Sequence, residues 1–368
     1  MKKRLFLGLL LVFALSVFTI GCGSDDSAGD NTEAVQEDTT AAETETDDTE
    51  ASEDTEASVD EEAFPQTDPN EEVTIRIARQ PSIYVAWWAD ALGYLEEAFK
   101  DYNVKIEFTE FTLGPPIIEA MASGEIDIGF MGDLPAYAGL LNGGTYTIVG
   151  KYSQDTAKQL IVRTDAGIDS LADLKGKKIA VPFGSNIQPL AELYLEAAGL
   201  TDNDVELINL SFADINTSIL NGDIDAGVTG EPNVSKILNN GGDSVKTLET
   251  ADGYKLYVSP IIVENEFLEK YPDITAKFLE ALDKAGQWAE ENPEDAIQAI
   301  VDAEGLEYDD VAALVSNSKS FRPYITEDEL QALRDGADQA LKFELITSEL
   351  NVDDYIDLKY AEAAGLGE

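Results

Sequence analysis

The 368-residue sequence predicts an α/β protein of two similar lobes, each a mostly parallel sheet flanked by helices. Three observations predict it. Short apolar strand patterns alternate with helical ones through the middle of the chain. One stretch of that pattern recurs at a fixed offset, which is the mark of a duplicated unit. With 44% hydrophobic residues, the chain can build two sizeable cores.

The alternation begins at residues 73–79, where apolar and polar side chains take turns. A helical stretch is expected over 83–99, a strand over 104–110, a helix over 117–123, a strand over 127–131 and a helix over 135–141. The pattern resumes with a strand at 178–182, a helix at 187–198, a strand at 205–209, a helix at 215–220 and a strand at 226–229. After 254–263 the chain reads as almost wholly helical, with segments at 272–291, 293–302, 308–315 and 326–342.

The repeat pairs residues 123–133 with 221–231. Gly124 falls on Gly222, Asp127 on Asp225, Gly129 on Gly227 and Gly132 on Gly230, each 98 residues apart. Asn142-Gly143-Gly144 falls on Asn240-Gly241-Gly242 at the same offset. A constant spacing across a strand, its turn and the end of the following helix predicts two equivalent lobes.

Ahead of this body, Met1-Lys2-Lys3-Arg4 and an apolar run over 5–20 have the order of a secretion signal, too short for a spanning helix. Gly21-Cys22 follows and resembles a bacterial lipoprotein cleavage site, with Thr19 where that pattern usually has Leu. Residues 1–22 are therefore expected to be a lipoprotein signal peptide, and Cys22 the lipidation site that anchors the chain outside the cytoplasm. Residues 23–72 carry 20 acidic side chains, no Lys or Arg, and almost no large apolar residue, and are expected to form a disordered acidic linker.

Charge excludes some functions. Acidic residues number 73 against 24 basic ones, and the part after residue 72 keeps 53 against 21, a net near −32. Nucleic acid is not an expected partner of such a chain. There is no histidine, which removes the commonest metal ligand and general base. Asp127 and Asp225, beside Glu125 and Asp223, have a metal-like spacing but also suit solvated turns before a strand. Neither a metal nor a cofactor is assigned, and no catalytic residue stands out.

In open α/β sheets ligands bind where strands end and helices begin, because helix N-termini present free N–H groups and a partial positive charge. Four such turns are expected. Gln80-Pro81-Ser82 follows the first strand, with Ser82 placed to cap a helix and Trp87-Trp88 two turns on. Of those two rings one is expected in the core. The second turn is Gly132-Asp133-Leu134-Pro135. The third is Pro182 to Asn186, where Gly184 lets backbone approach a ligand and Ser185 and Gln188 have a capping-box spacing. The fourth is Gly230-Glu231-Pro232-Asn233. The candidate ligand-binding residues are Gln80, Ser82, Trp87, Gly132, Asp133, Gly184, Ser185, Asn186 and Glu231. Ordinary helix capping also explains Ser, Asp and Asn at such positions.

Residues 174–185, 127–133, 221–225 and Glu231-Pro232, with the tail at 354–357, resemble the substrate-binding proteins of bacterial ABC importers for taurine, aliphatic sulfonates and nitrate. The resemblance covers about residues 73–364. It implies a type II periplasmic-binding fold with crossovers near 151–163 and 257–263, lobe 1 discontinuous over 73–155 and 258–368, and lobe 2 over 156–257. It also implies a monomer that hands a small ligand to an ABC permease and its ATPase and is not an enzyme. A taurine- or alkanesulfonate-type ligand would be held by Ser185, Asn186 and Ser82. Asp133 and Glu231 would either accept hydrogen bonds from a ligand amine or cap their own helices. Nitrate, an aromatic acid, a neutral or cationic small molecule, and a non-transport sensor are the alternatives.

Overall fold

The computed structural model describes residues 64–80, 83–155 and 157–367. The signal segment, Cys22, most of the linker and Ser82 lie outside the described residues. The folded body starts earlier than composition suggests. Residues 64–72, expected in the linker, are part of it. Phe64 stacks on Tyr360 at 5.2 Å, and Thr67 donates through N and Oγ1 to the buried Asp273 carboxylate at 2.9 and 2.6 Å. An aromatic ring and a satisfied buried hydroxyl tie down what charge alone would leave free.

The chain runs β1 (Val73–Arg79), α1 (Tyr84–Ala91), α2 (Tyr94–Phe99), β2 (Val104–Glu110), α3 (Gly114–Ala122), β3 (Ile128–Phe130), α4 (Asp133–Leu141) and β4 (Tyr146–Asp155). The second group is β5 (Lys158–Arg163), β6 (Lys178–Val181), α5 (Gln188–Ala197), β7 (Glu206–Asn209), α6 (Phe212–Asn221), β8 (Ala226–Gly230), α7 (Asn233–Gly241) and β9 (Val245–Thr250). The rest is β10 (Tyr257–Glu264), α8 (Asn265–Lys270), α9 (Pro272–Glu291), α10 (Pro293–Glu304), α11 (Tyr308–Asn317), β11 (Ser318–Ser320), α12 (Glu327–Lys342) and α13 (Lys359–Ala363). The single helix expected over 83–99 is two. Gly93 takes φ 76°, a left-handed conformation that ends one helix and that other residues resist.

The strands form two sheets, β11-β4-β10-β3-β1-β2 and β7-β6-β8-β5-β9. The chain thus crosses from the first lobe to the second between β4 and β5, and returns between β9 and β10. Parallel pairing is confined to β2-β1-β3 in one lobe and β7-β6-β8 in the other. The strands beside the crossings, β10 and β5, run antiparallel to β3 and β8.

The repeat maps onto this symmetry. Ile77 and Ala78 of β1 face Ile128 and Gly129 of β3, as Ile179 and Ala180 of β6 face Ala226 and Gly227 of β8. Asp127 and Asp225 do the same work in each copy. The Asp127 carboxylate accepts from Arg76 N at 2.8 Å, and Asp225 from Lys178 N at 2.9 Å. Their backbone carbonyls accept from Glu264 N and Arg163 N. These aspartates, each just before its strand, therefore pin the starts of β3 and β8 to the two neighbouring strands. Among the described residues, no cluster of acidic side chains is arranged to hold a metal ion.

Alternating side chains build a core on each face of each sheet. In the first lobe Ile75, Ile77 and Val149 pack under α1, α9 and α10, while Ala78, Ile148 and Ile262 pack under α4 and α12. Trp88 lies wholly inside, its Nε1 donating to Ala296 O at 2.9 Å. Leu160, Val162 and Val228 face Leu190 and Tyr194 of α5 in the second lobe, with Ile161 and Ala180 on the opposite face.

Candidate functional site

Each of the four corners lies at the carboxyl end of a parallel strand, where β1, β3, β6 and β8 give way to helices. Two of them meet. A side chain on Gly132, at the end of β3, would place its Cβ 2.5 Å from Asn186 Cβ and 2.6 Å from Asn186 Cγ. Gly132 has φ −73°, which any residue adopts, so it is this approach and not the backbone that requires glycine. Nearby, the Cβ position of Gly184 lies 3.6 Å from Pro115 Cγ of α3. The β3–α4 corner of one lobe and the β6–α5 corner of the other therefore lie directly against each other.

Ion pairs bridge the lobes on both sides of this contact. Lys342 at the end of α12 reaches Glu196 on α5 at 2.5 and 2.7 Å. Lys236 on α7 reaches Asp310 on α11 at 2.9 Å. Both are partly exposed, so each contributes less than about 1 kcal/mol.

Local bonding decides what each corner residue can offer. Ser185 is buried; its hydroxyl donates to Pro182 O at 2.7 Å and accepts from Ile187 N at 3.3 Å. Gln188 Oε1 accepts from Gly184 N at 2.7 Å, one residue earlier than a capping box requires. Glu231 takes Ser235 N and Oγ, each at 3.0 Å, and so caps α7. Asp133 is 3% exposed; Oδ1 accepts from Leu134 N at 2.9 Å and Oδ2 pairs with Lys255 Nζ at 2.7 Å. Glu231 is thus tied to the first turn of α7, whereas Asp133 bonds its neighbour Leu134 N and pairs with Lys255. Asn186 and Gln80 are half-buried, and their amides carry no hydrogen bond among the described residues.

Trp87 is not brought to the Gly132–Asn186 contact. Its ring lies on the Arg79 guanidinium at 3.1 Å, and Phe108 lies 4.5 Å from the same group. Arg79 Nε and Nη1 and Trp87 Nε1 are buried without partners among the described residues. Burial holds the Arg79 guanidinium below its ordinary pKa, with Glu110, Glu304 and Asp90 acting in opposition. Arg79 was legible as the last member of the inward series Val73, Ile75, Ile77, Arg79, but the four turns as drawn began one residue later.

Sequence reasoning also missed the floor of the crevice, where the chain crosses between lobes. Lys158 pairs with Asp155 across the first crossing. Lys255, in the return linker, pairs with Asp133. Both ammonium groups lie over the Tyr257 ring, at 4.3 and 5.5 Å. Burial, then the fields of Asp133, Tyr194 and Asp155, pushes the Tyr257 hydroxyl well above its ordinary pKa. No spacing in the sequence signals pairs 3 and 122 residues apart.

Two α/β lobes joined by two crossings, with a strand-to-helix corner of one lying against a corner of the other, define the two-lobed type II periplasmic-binding fold. The chain belongs to the NMT1/THI5-like family, whose model matches residues 80–296. A Bacillus subtilis relative named for binding aliphatic sulfonates is 29% identical over 79% of this chain and 87% of its own length. The taurine-binding periplasmic protein of Escherichia coli is 26% identical over 69% and 80%. Among solved structures, the alkanesulfonate-binding protein SsuA of Xanthomonas axonopodis pv. citri, bound to MOPS, superimposes with a TM-score of 0.71 at 24% identity, covering 78% of this chain and 99% of that one. A desulfurization enzyme, DszB, shares the fold at a TM-score of 0.60 and 16% identity, covering 80% and 99%, so fold alone does not separate binding from turnover.

Proposed function

We propose that this protein is an extracytoplasmic solute-binding lipoprotein of an ABC importer, anchored through Cys22, that captures a small sulfonate of the taurine or alkanesulfonate class and delivers it to a permease and its ATPase. One observation carries the capture mechanism: Gly132 of one lobe lies against Asn186 of the other. A ligand touching both corners favours the closed arrangement by its differential affinity for it. The names of the relatives support the sulfonate class. The amides of Gln80 and Asn186, which carry no hydrogen bond among the described residues, are suited to sulfonate oxygens. Ser185 acts by shaping its turn, since its hydroxyl proton is already given to Pro182 O. Binding, not turnover, is the function, and the protein acts as a monomer.

A thermal-shift panel of taurine, alkanesulfonates, nitrate, betaines and aromatic acids tests the ligand class. Stabilisation by the sulfonates is expected; stabilisation only by cationic or neutral compounds would end the sulfonate assignment. Mass spectrometry of the bound sulfonate after incubation should show it unchanged, and a product would make the protein an enzyme. Cys22→Ser should release the protein from the membrane fraction.

A further inference from the structure

We propose that Lys255 is a specificity-determining residue: by engaging Asp133 it keeps a negative charge from acting on the crevice, so that the site accepts an anionic head group without demanding an amine. This inference rests on the sulfonate function above and sharpens it.

Asp133 follows Gly132, the residue in contact with Asn186 across the crevice. It is the first residue of α4, next in the chain to that contact, with its carboxylate buried behind the corner beside Lys255. An uncompensated carboxylate there would repel a sulfonate and attract an ammonium. Lys255 prevents this. Its Nζ lies 2.7 Å from Asp133 Oδ2, and the two side chains are only 3% and 4% exposed. Water therefore screens neither charge, and each is the other's only full opposite charge at hydrogen-bond distance, with Leu134 N and the Tyr257 ring adding to it. The pair is sealed from behind by α12. A Cβ on Gly336 would come within 3.0 Å of Asp133 Oδ2 and 3.2 Å of both Lys255 Nζ and Tyr137 Oη. No room remains on that side for a second cation.

The setting strengthens the need. The chain around this corner is strongly acidic overall. The other carboxylate at the crossings, Asp155, is matched in the same way by Lys158, and both lysines lie over the Tyr257 ring. These two buried carboxylates, Asp133 and Asp155, thus each have their own buried ammonium. The glutamate equivalent to Asp133 in the second lobe, Glu231, has no lysine partner and is instead half-buried and tied to Ser235. Specificity is a difference of affinities, and removing one repulsive charge is a way to set it.

The test is calorimetry with two pairs of probes that differ only by an ammonium group: taurine against ethanesulfonate, and β-alanine against propionate. Lys255→Met exposes the corner to an unpaired carboxylate. Its affinity for the amine-free member should fall about tenfold or more relative to the amine-bearing one. Asp133→Asn leaves the lysine unpaired, and the preference should move the other way. The double variant Asp133→Asn/Lys255→Met should return the ratio to that of the wild type. Opposite signs in the single variants are not produced by loosening of the fold. A ratio unchanged within twofold in both single variants, with only the melting temperature lowered, would overturn the inference. If Lys255→Met does not fold, the shift in Asp133→Asn decides alone. Wild-type binding of the carboxylate pair but not the sulfonates would end the sulfonate function while leaving Lys255 to be judged on the carboxylates. Binding of none of the four would end both.

Discussion

Asp133 and Glu231 occupy the same position in the two copies of the repeat, 98 residues apart, yet the structure uses them differently. Glu231 works within one turn: it caps α7 through Ser235 and stays half-buried. Asp133 works across the molecule, joining the recognition corner to the linker that returns the chain from the second lobe. A duplicated motif thus fixes the backbone corner, while its surroundings decide whether the acid serves a helix or the architecture. The aspartates that begin the repeated strands show the opposite outcome. Asp127 and Asp225 keep the same backbone task in both copies, although Arg76 adds side-chain bonds only to Asp127.

This contrast can be broken by substitution. The largest effect on stability is expected at Lys255→Met, which leaves a buried carboxylate unpaired and should cost about 3–5 kcal/mol in denaturant unfolding. Glu231→Gln should cost only about 0.5–2 kcal/mol, the range for losing a helix cap. Equal losses would show that both acids are structural in the same sense.

The next effect concerns closure. Gly132→Ala should weaken ligand binding by roughly 5- to 100-fold through overpacking against Asn186, with little change in melting temperature, because φ at this position suits any residue. In a chain that already lacks the Asn186 side chain (Asn186→Gly), Gly132→Ala should weaken binding far less, measured by calorimetry. An equal loss in both backgrounds would mean that the two corners do not meet when ligand is held. The smallest effect is expected at the rim. Lys342→Ala should change unfolding stability by less than about 1 kcal/mol, and the change should vanish at high salt.

Much of the framework was legible in the sequence because it rests on periodicity. The parallel strands, most helices and the 98-residue repeat all leave a pattern in the order of residues. The crossings do not. β4, β5 and β10 are largely covered on both faces and mix polar with apolar residues without a clean period of two, so alternation is silent about them; the family resemblance supplied their places. Within the site, corners could be found because caps and glycines are local signals. The pairing of Asp133 with Lys255 could not, since it depends on how the chain between two residues 122 positions apart folds. Ser185 shows the cost of reading a corner by residue type alone: its hydroxyl is a good sulfonate donor in isolation but is spent on Pro182.

The most direct measurement is disulfide trapping between the two corners, in a chain carrying Gly132→Cys, Asn186→Cys and Cys22→Ser. The Cβ positions of residues 132 and 186 lie 2.5 Å apart here, so a disulfide, which spans about 3.5–4.5 Å between Cβ atoms, forms once the two corners separate by about 1 Å. Cross-linking should be fast, should accelerate with taurine or ethanesulfonate in proportion to occupancy, and should leave a protein that no longer exchanges its ligand. A pair of cysteines that never cross-links, with or without these probes, would contradict the claim that the two lobes close their recognition corners over one shared site.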